Sequence, residues 1–452
     1  MRAAILLLAC LSSTSWSWAG NFQQAYEAAL RSDAIYQAAR AEFASVEQNV
    51  PMARAGLLPN ISVSLSDSKV NGSRTFDNNL GPPVTSSLDY RAPVQSLNIR
   101  VPIFNREASQ KYKWAQTQVI YAEAVFATRK ADLVDRLASA YLQRLLSEQA
   151  VQVARAQLEA TQAQSALARR RLQLGEGTRL DLVEAQASED MAQVLLIDSQ
   201  NQLSLAILSL RQITGLYGKF PATVTDGFTS QSAINDSLTA TNSLSELLSK
   251  AQASNPGIAA RQHALALAQL AVTRNGAGHY PRLDFIANAT SFRNESLSTL
   301  NQSAHQQSLG LQINLPLYSG GYVSASVTQA LADQDKAEAE LAAEQQVVAK
   351  SLTKLYLSVK NGGAKVQAYR SAMESATLAL EGTHKGLQTG FNTLADVVIG
   401  QRKLAQSKHE FTQAIYEYLL ARTRLSVLTG AEPAQTVAHI DDLLRSPQIS
   451  LP

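Results

Sequence analysis

The sequence predicts a mainly helical, internally duplicated chain with two strands and one long helical hairpin in each copy. Three observations support this fold class. The chain repeats itself at an offset of about 215 residues. Each copy contains two alternating stretches of about ten residues, a length typical of strands. Each pair of stretches is followed by more than a hundred residues that contain no proline and are rich in helix formers.

The duplication is visible in short matching segments. TRLDLVEAQ at 178–186 aligns with TLADVVIGQ at 393–401, and LRQITG at 210–215 aligns with LSVLTG at 425–430. VPIFN at 101–105 likewise aligns with LPLYS at 315–319. A repeat of about 200 residues is far too long for a solenoid. We therefore interpret the chain as an internal duplication.

The N-terminus has the features of a secretory signal peptide. An apolar run from Ala3 to Leu11 is too short to span a bilayer, and Ser17-Trp18-Ala19 is a small-x-small cleavage site. Lipidation of Cys10 is the alternative, but only nine residues would precede that cysteine. We expect residues 1–19 to be removed, which leaves an exported protein without cysteine.

The composition argues against several classes of protein. Forty Lys and Arg face 37 Asp and Glu, a balance that does not favour a nucleic-acid partner. Six histidines and one cysteine offer little for a metal site, and no cofactor is expected. The sequence contains no HExxH, G-x-S-x-G, phosphate-loop or CxxC motif, so we do not expect an enzyme.

The elements follow the same order in both copies. Helices come first, then two strands around a polar loop, and then the helical hairpin. In the first repeat, 20–215, the predicted helices lie in 21–57, the strands at 59–68 and 94–104, the loop at 67–90 and the hairpin at 106–213. In the second repeat, 243–430, they lie in 243–278, at 281–292 and 307–318, and at 322–428. Residues 216–242 and 431–452 are expected to form an irregular equatorial linker and tail.

The alternating stretches have the length that a tilted strand needs to cross a bilayer. A sheet in lipid must close, because an open edge leaves backbone groups without hydrogen bonds. Four strands per chain are too few for a barrel, so the chain is expected to oligomerise. The alternation does not distinguish a dimer from a trimer.

The helical runs alone favour a plain coiled coil or bundle. The rival from another class is a trimeric coiled-coil structural surface protein, which would need sustained heptads and barrel strands at one terminus only. Strand pairs inside each repeat argue against both. Within the second hairpin, Asn361-Gly362-Gly363 is expected to bend or loosen the helix.

Both long hairpins break at a similar point, LGEGTRLD at 174–181 and TGFNTLAD at 389–396. Glycine can end a helix in a left-handed cap, and threonine can cap the next helix. We therefore place the hairpin tips at 174–180 and 389–395.

The sequence resembles the TolC family of trimeric outer-membrane channel-tunnel proteins. The resemblance covers 21–430 and is carried by the duplicated order, by LRQITG, by LPLYSGG before a long helix, and by the tips. It implies a trimer whose two transmembrane β-hairpins per chain form a 12-stranded β-barrel, continuous with a 12-helix α-barrel in the periplasm. LRQITG is more similar to the type I secretion branch than to the lipid-anchored efflux branch.

The resemblance also implies a periplasmic pore constriction near the tips. Asp396 matches an entrance-lining aspartate of the family, and Asp181 is its equivalent in the first repeat. The alternative for Asp396 is an ordinary first-turn aspartate that complements the helix dipole. The family's second aspartate is Ile399 here, and its closing Tyr and Arg correspond to Leu387 and Asn392. We therefore expect other gating contacts and weaker cation selectivity.

The resemblance implies an exit duct of a tripartite export system. Its partners would be a periplasmic adaptor, an inner-membrane ABC or other transporter reached through that adaptor, and outer-membrane lipid. Protein export by type I secretion is the first expectation, and multidrug or siderophore efflux is the alternative. The expected adaptor-docking residues are Leu174, Gly175, Thr178, Thr389, Gly390, Phe391 and Thr393.

Overall fold

The structure is a computed structural model that describes residues 22–77, 81–216, 243–294 and 302–445. The expected signal peptide, the linker from residue 217 onward and residues 446–452 lie outside the described residues. The chain divides into two compact units. We call them the helical unit, formed by Met1–Arg40, Ala127–Pro256 and Gln345–Pro452, and the strand unit, formed by Ala41–Phe126 and Gly257–Glu344.

The strand unit is built on one antiparallel sheet whose strands follow chain order. The strands are β1 (Asn60–Phe76), β2 (Val84–Asn105), β3 (Arg282–Asn294) and β4 (Gln302–Asn314). Because the order is β1-β2-β3-β4, β1 and β4 are the edges of this sheet. Pairing between β2 and β3 shifts register between Pro102 and Phe104, where proline has no N–H to donate.

In the part of the sheet where all four strands pair, the register brings most of their apolar residues onto one face. One row crosses the sheet through Ile61, Ile99, Ala287 and Leu309, each directly opposite the next. Ile61 and Leu309 remain exposed within the chain. An exposed apolar face of this kind requires an apolar neighbour outside the chain, and lipid provides one.

The expected strand boundaries were wrong in two places. β1 and β2 continue far into 67–90, which was expected to be a polar loop. Threonine, serine and charged residues sustain the pairing there, because backbone hydrogen bonds and cross-strand pairs do not require an apolar face. β4 runs from Gln302 to Asn314 instead of from 307 to 318, and it ends early because Pro316 cannot continue the ladder.

The first of the long helices begins at Arg106, without a loop after β2. Asn105 ends β2, and its side-chain oxygen accepts a hydrogen bond from the Ala108 amide at 3.0 Å, which caps the following helix. Among the described helices, none is both long and apolar enough to cross a membrane. The helices are α1 (Phe22–Ser32), α2 (Ala34–Glu47), α3 (Asn49–Ala55), α4 (Arg106–Gln173), α5 (Arg179–Thr214), α6 (Leu244–Ser254), α7 (Pro256–Gly276), α8 (Tyr322–Gln388), α9 (Leu394–Leu428) and α10 (Pro433–Arg445).

The tail 431–452 was expected to be irregular, but most of it is the helix α10. Pro433 occupies the first helical position, where its fixed backbone angle suits a helix start. Val437 and Ile440 are buried one turn apart on the same face. Asp441, also buried, accepts a hydrogen bond from the amide of Phe22 at 3.1 Å, so α10 holds the start of α1.

A buried ion pair fixes the break between α1 and α2. Asp33 lies between these helices and accepts the Tyr36 amide at 2.8 Å, which caps α2. Both of its oxygens also accept bonds from the Arg136 guanidinium, at 3.0 and 2.9 Å. The Arg136 side chain holds the pKa of Asp33 below its usual value. The pair connects the first helices to α4 within the helical unit.

The glycine pair in the second hairpin does not break its helix. Helix α8 is continuous from Tyr322 to Gln388. A Cβ at Gly362 would lie 2.6 Å from the ring of Tyr418, which is buried. This glycine therefore makes room for an aromatic ring of α9, a packing role that was not predicted from the sequence. At the equivalent position of the first hairpin, Ser147 is also small and buried.

Gly362→Ala is expected to destabilise the protein by about 1–3 kcal/mol, the usual cost of overpacking, because the new methyl group overlaps the Tyr418 ring. The matched control is Gly382→Ala in the same helix, where a Cβ meets nothing within 4 Å. That change is expected to stabilise the helix by about 0.5–1 kcal/mol. Thermal unfolding of the purified proteins, followed by circular dichroism, measures both. Equal stabilisation by the two substitutions would contradict the packing role of Gly362.

Candidate functional site

Two tips join the long helices of the helical unit, and glycine ends the incoming helix at each. Gly175 and Gly390 adopt left-handed backbone angles, with φ of 78° and 80°. At the first tip the Glu176 amide donates back to the carbonyl of Arg171 at 2.9 Å, and the equivalent bond at the second tip has the same length. These bonds satisfy carbonyls that the helix end would otherwise leave unpaired.

The outgoing helices, α5 and α9, start with identical capping boxes. At the first tip the Asp181 amide donates to the Thr178 hydroxyl at 3.1 Å, and Asp181 Oδ2 accepts the Thr178 amide at 3.0 Å. Thr393 and Asp396 repeat this arrangement at 3.2 and 2.8 Å. In both boxes the threonine hydroxyl also donates to the same carboxylate oxygen. The four residues thus fix where each helix begins.

These hydrogen bonds favour the ionised form of both aspartates. The hydroxyl and then the amide of Thr178 lower the pKa of Asp181, whereas at Asp396 the amide of Thr393 is the larger cause of the lowered pKa. A lowered pKa in the folded protein means that each box stabilises its helix at neutral pH. The contribution is lost as the pH falls through that lowered pKa.

A reciprocal exchange of large and small residues packs the two tips. In the first, a Cβ at Gly177 would lie 3.1 Å from the Arg171 Cβ. In the second tip, Asn392 stands where the first tip has Gly177, and Gly386 stands where it has Arg171. A Cβ at Gly386 would overlap the side-chain amide of Asn392. Asn392 also donates to the carbonyl of Thr383 at 3.4 Å. Its amide therefore holds its own tip together.

Apolar side chains are exposed at the ends of the tips. Phe391 is 88 % exposed and Leu174 is 64 % exposed, although both are large and apolar. Thr389 faces back to its helix, since its hydroxyl donates to the carbonyl of Lys385 at 3.2 Å. Of the expected docking residues, Phe391 thus offers the largest uncovered apolar surface.

The structure also places the residues that were expected at the pore constriction and at the family's closing contacts. Ile399 is exposed on α9, one turn beyond Asp396, and Leu387 is half-buried near the end of α8. The contacts of Asp181 and Asp396 lie within their own tips. The exchange between the tips was not predicted, although aligning the two copies shows glycine at 177 in the first tip and at 386 in the second. Across the described ranges, no cluster of His, Cys, Asp and Glu side chains has the arrangement of a metal site.

Comparisons with known proteins agree with this architecture. The family model described as "Outer membrane efflux protein" matches residues 25–216 and 247–431. Proteases secretion protein PrtF of Dickeya chrysanthemi is 31 % identical over 446 residues, covering 97 % of this chain and 94 % of that protein. Alkaline protease secretion protein AprF of Pseudomonas aeruginosa is 28 % identical over 90 % of this chain and 83 % of its own length.

The fold is shared with solved outer-membrane channels. The outer membrane protein VceC of Vibrio cholerae matches with a TM-score of 0.73 at 18 % identity, covering 91 % of this chain and 96 % of that one. The duplicated strand and helix hairpins thus form the channel-tunnel fold that the sequence predicted. The chain belongs to the outer membrane efflux protein family.

Proposed function

We propose that this outer-membrane channel is the exit duct of a tripartite export system and that it carries proteins exported by type I secretion. It acts as a conduit and not as an enzyme. The observation that carries the proposal is the direct passage from β2 into α4 at Asn105, which joins a lipid-facing strand to a helix of 68 residues. The 31 % identical relative is named for protease secretion. Efflux of drugs or siderophores is the second candidate, which the family description favours.

The duct is assembled from three copies of the chain. Within the four-stranded sheet, β1 and β4 are edges, and exposed edges cannot remain unpaired in lipid. Pairing β1 of one copy with β4 of the next satisfies both edges. Three copies give twelve strands, enough to close a membrane barrel, and the same symmetry gathers the helices into the periplasmic tube.

Asp396 lines the periplasmic constriction, with Asp181 beside it on the first hairpin. The capping bonds of Asp396 go to Oδ2, and the group is exposed. The hydrogen bonds from Thr393 therefore hold the Asp396 carboxylate in position while it remains charged. Three such groups around a narrow mouth favour cations. Ile399 contributes no second ring of charge, so the selectivity rests on one position of α9.

The two tips bind a periplasmic adaptor, which connects the duct to an inner-membrane transporter. Phe391 is the apolar anchor, because it is large, aromatic and uncovered in the chain. Gly175 and Gly390 let a partner helix approach the backbone closely. Thr178 and Thr393 fix the tip geometry, and Leu174 and Thr389 complete the contact surface.

The export role is tested in a bacterium that lacks its own outer-membrane duct and is supplied with a type I transporter, its adaptor and a protease substrate. The wild-type chain is expected to release protease into the medium, and Phe391→Ala is expected to abolish most of this release. Glu176→Ala is the matched control, since Glu176 occupies the equivalent position of the first tip. It is expected to leave export intact.

Two results would contradict these assignments. Drug resistance restored without release of protease would favour efflux over protein secretion. Normal export by Phe391→Ala, with protein levels unchanged, would remove Phe391 from the docking surface.

Asp396→Asn is expected to lower the cation selectivity of the channel to what Asp181 alone provides, because it removes the charge of Asp396 while an amide oxygen can still accept the Thr393 amide. Thr393→Ala is the complementary variant, which weakens the cap by about 1 kcal/mol but keeps the charge. Reversal potentials under a salt gradient measure selectivity. The wild-type potential should persist as the pH is lowered to about 4, because the pKa of Asp396 lies below the ordinary value of about 3.9. Unchanged selectivity in Asp396→Asn would place the constriction elsewhere.

A further inference from the structure

The first strand hairpin continues well beyond the point at which its pairing with β3 ends. Val94 is the last residue of β2 in that direction that pairs with β3, whereas pairing with β1 continues from Val94 to Val84. We call residues 67–76 and 84–93 the projecting ribbon. At about 3.3 Å per residue, its ten pairs extend about 33 Å past the last pair between β2 and β3.

The apolar face changes sides between the sheet and the ribbon. In the sheet, the apolar residues of β1 occupy odd positions, as Ile61 and Leu65 do. In the ribbon, the odd face is charged, with Lys69 paired to Asp89 at 3.1 Å. A second odd-numbered pair, Arg91 and Asp67, lies at 4.0 Å. The apolar residues of the ribbon now stand at even positions: Val70, Val84, Leu88, Tyr90 and Ala92.

This exchange is not produced by a change in the backbone. The pairing of β1 with β2 runs from Asn60 opposite Arg100 to Phe76 opposite Val84 without a register shift. Because side chains alternate with a period of two, a given face keeps its parity along an unbroken strand. The even face of the ribbon therefore lies on the same side as the polar face of the sheet, but in the ribbon this side carries apolar residues.

Burial within the chain distinguishes the two faces of the ribbon. On β2, Leu88, Tyr90 and Ala92 are half-buried, whereas the residues between them, Asp89 and Arg91, are exposed. Directly opposite Tyr90 on β1 lies Val70, which is also half-buried. An apolar cluster thus spans both strands on the even face.

The side of the barrel on which this cluster lies follows from the sheet. Since the odd, apolar face of the sheet meets lipid, the even face lines the interior. The even face of the ribbon consequently points toward the barrel axis, away from lipid. Beyond the membrane its surroundings are water and the same faces of the other copies.

We propose that the three projecting ribbons lean together above the membrane and pack Val70, Leu88, Tyr90 and Ala92 against the same residues of neighbouring copies. This contact narrows the outer end of the channel. The inference depends on the proposed trimer. A second copy is the occupant favoured by the structure, because closing edges β1 and β4 places equivalent ribbons around one axis and because the ion pairs occupy the opposite face.

The dimensions permit this contact. A closed barrel of twelve strands tilted by about 40° has a backbone radius of about 12 Å. A ribbon of about 33 Å reaches the axis when it leans by about 20°, an angle similar to the normal twist between neighbouring strands.

Cysteine crosslinking tests the proposal without a cysteine-free background, because Cys10, the one cysteine of the sequence, lies in the expected signal peptide. Tyr90→Cys is expected to give intersubunit crosslinks with a short bis-maleimide in intact cells. Arg91→Cys is the matched control on the outward face and is expected to give none. In planar bilayers, Tyr90→Ser should raise single-channel conductance, whereas Asp89→Ser should leave it unchanged.

Oligomeric state is measured on the same samples by sedimentation. Trimers without crosslinks at position 90, or crosslinks from position 90 to an exported polypeptide alone, would overturn the ribbon contact and leave the exit duct intact. Unchanged conductance in Tyr90→Ser trimers would also overturn it. Absence of trimers in folded wild-type protein would instead refute the proposed assembly itself.

Discussion

The architecture depends on one requirement, that no backbone N–H or C=O group in lipid can lack a hydrogen-bond partner. In the four-stranded sheet, the inner strands β2 and β3 have a hydrogen-bonded neighbour on each side, but β1 and β4 are edges with one neighbour each. The row from Ile61 to Leu309 provides the apolar surface that lipid demands, yet that surface cannot be used until the edges are paired. Membrane insertion and assembly are therefore coupled in the proposed trimer, because the same strands provide both.

The internal duplication shows which features the chain repeats and which it adjusts. Both tips use a threonine and an aspartate in identical capping boxes, and these positions align between the copies. The side chains that pack against the glycines of the long hairpins differ between the two copies. Gly362 accommodates the ring of Tyr418, and the exchange of glycine between 177 and 386 fills each tip from the opposite side. Local backbone geometry is repeated, whereas the fit of side chains is specific to each copy.

The sequence predicted the features that depend on local rules. Alternation predicted the apolar face, and glycine followed by threonine predicted the tips, because each needs only neighbouring residues. It did not predict the projecting ribbon, since its polar alternation resembles a loop and its stability comes from pairing across the hairpin. It did not predict that Gly362 makes room for an aromatic ring, because that ring, Tyr418, lies 56 positions further along the chain. The helix α10 was not predicted either, because it is held by distant contacts such as the hydrogen bond from the Phe22 amide to Asp441.

The projecting ribbon suggests how alternation in a membrane strand should be interpreted. An apolar face is commonly taken to indicate lipid, but it indicates only a neighbour that excludes water. In β2 the apolar positions are odd at Leu97 and Ile99 and even at Leu88 and Tyr90, on a backbone that keeps its register. The neighbour must therefore change from one side of the sheet to the other. Lipid accounts for the first side, and within the proposed assembly only the interior of the barrel lies on the second.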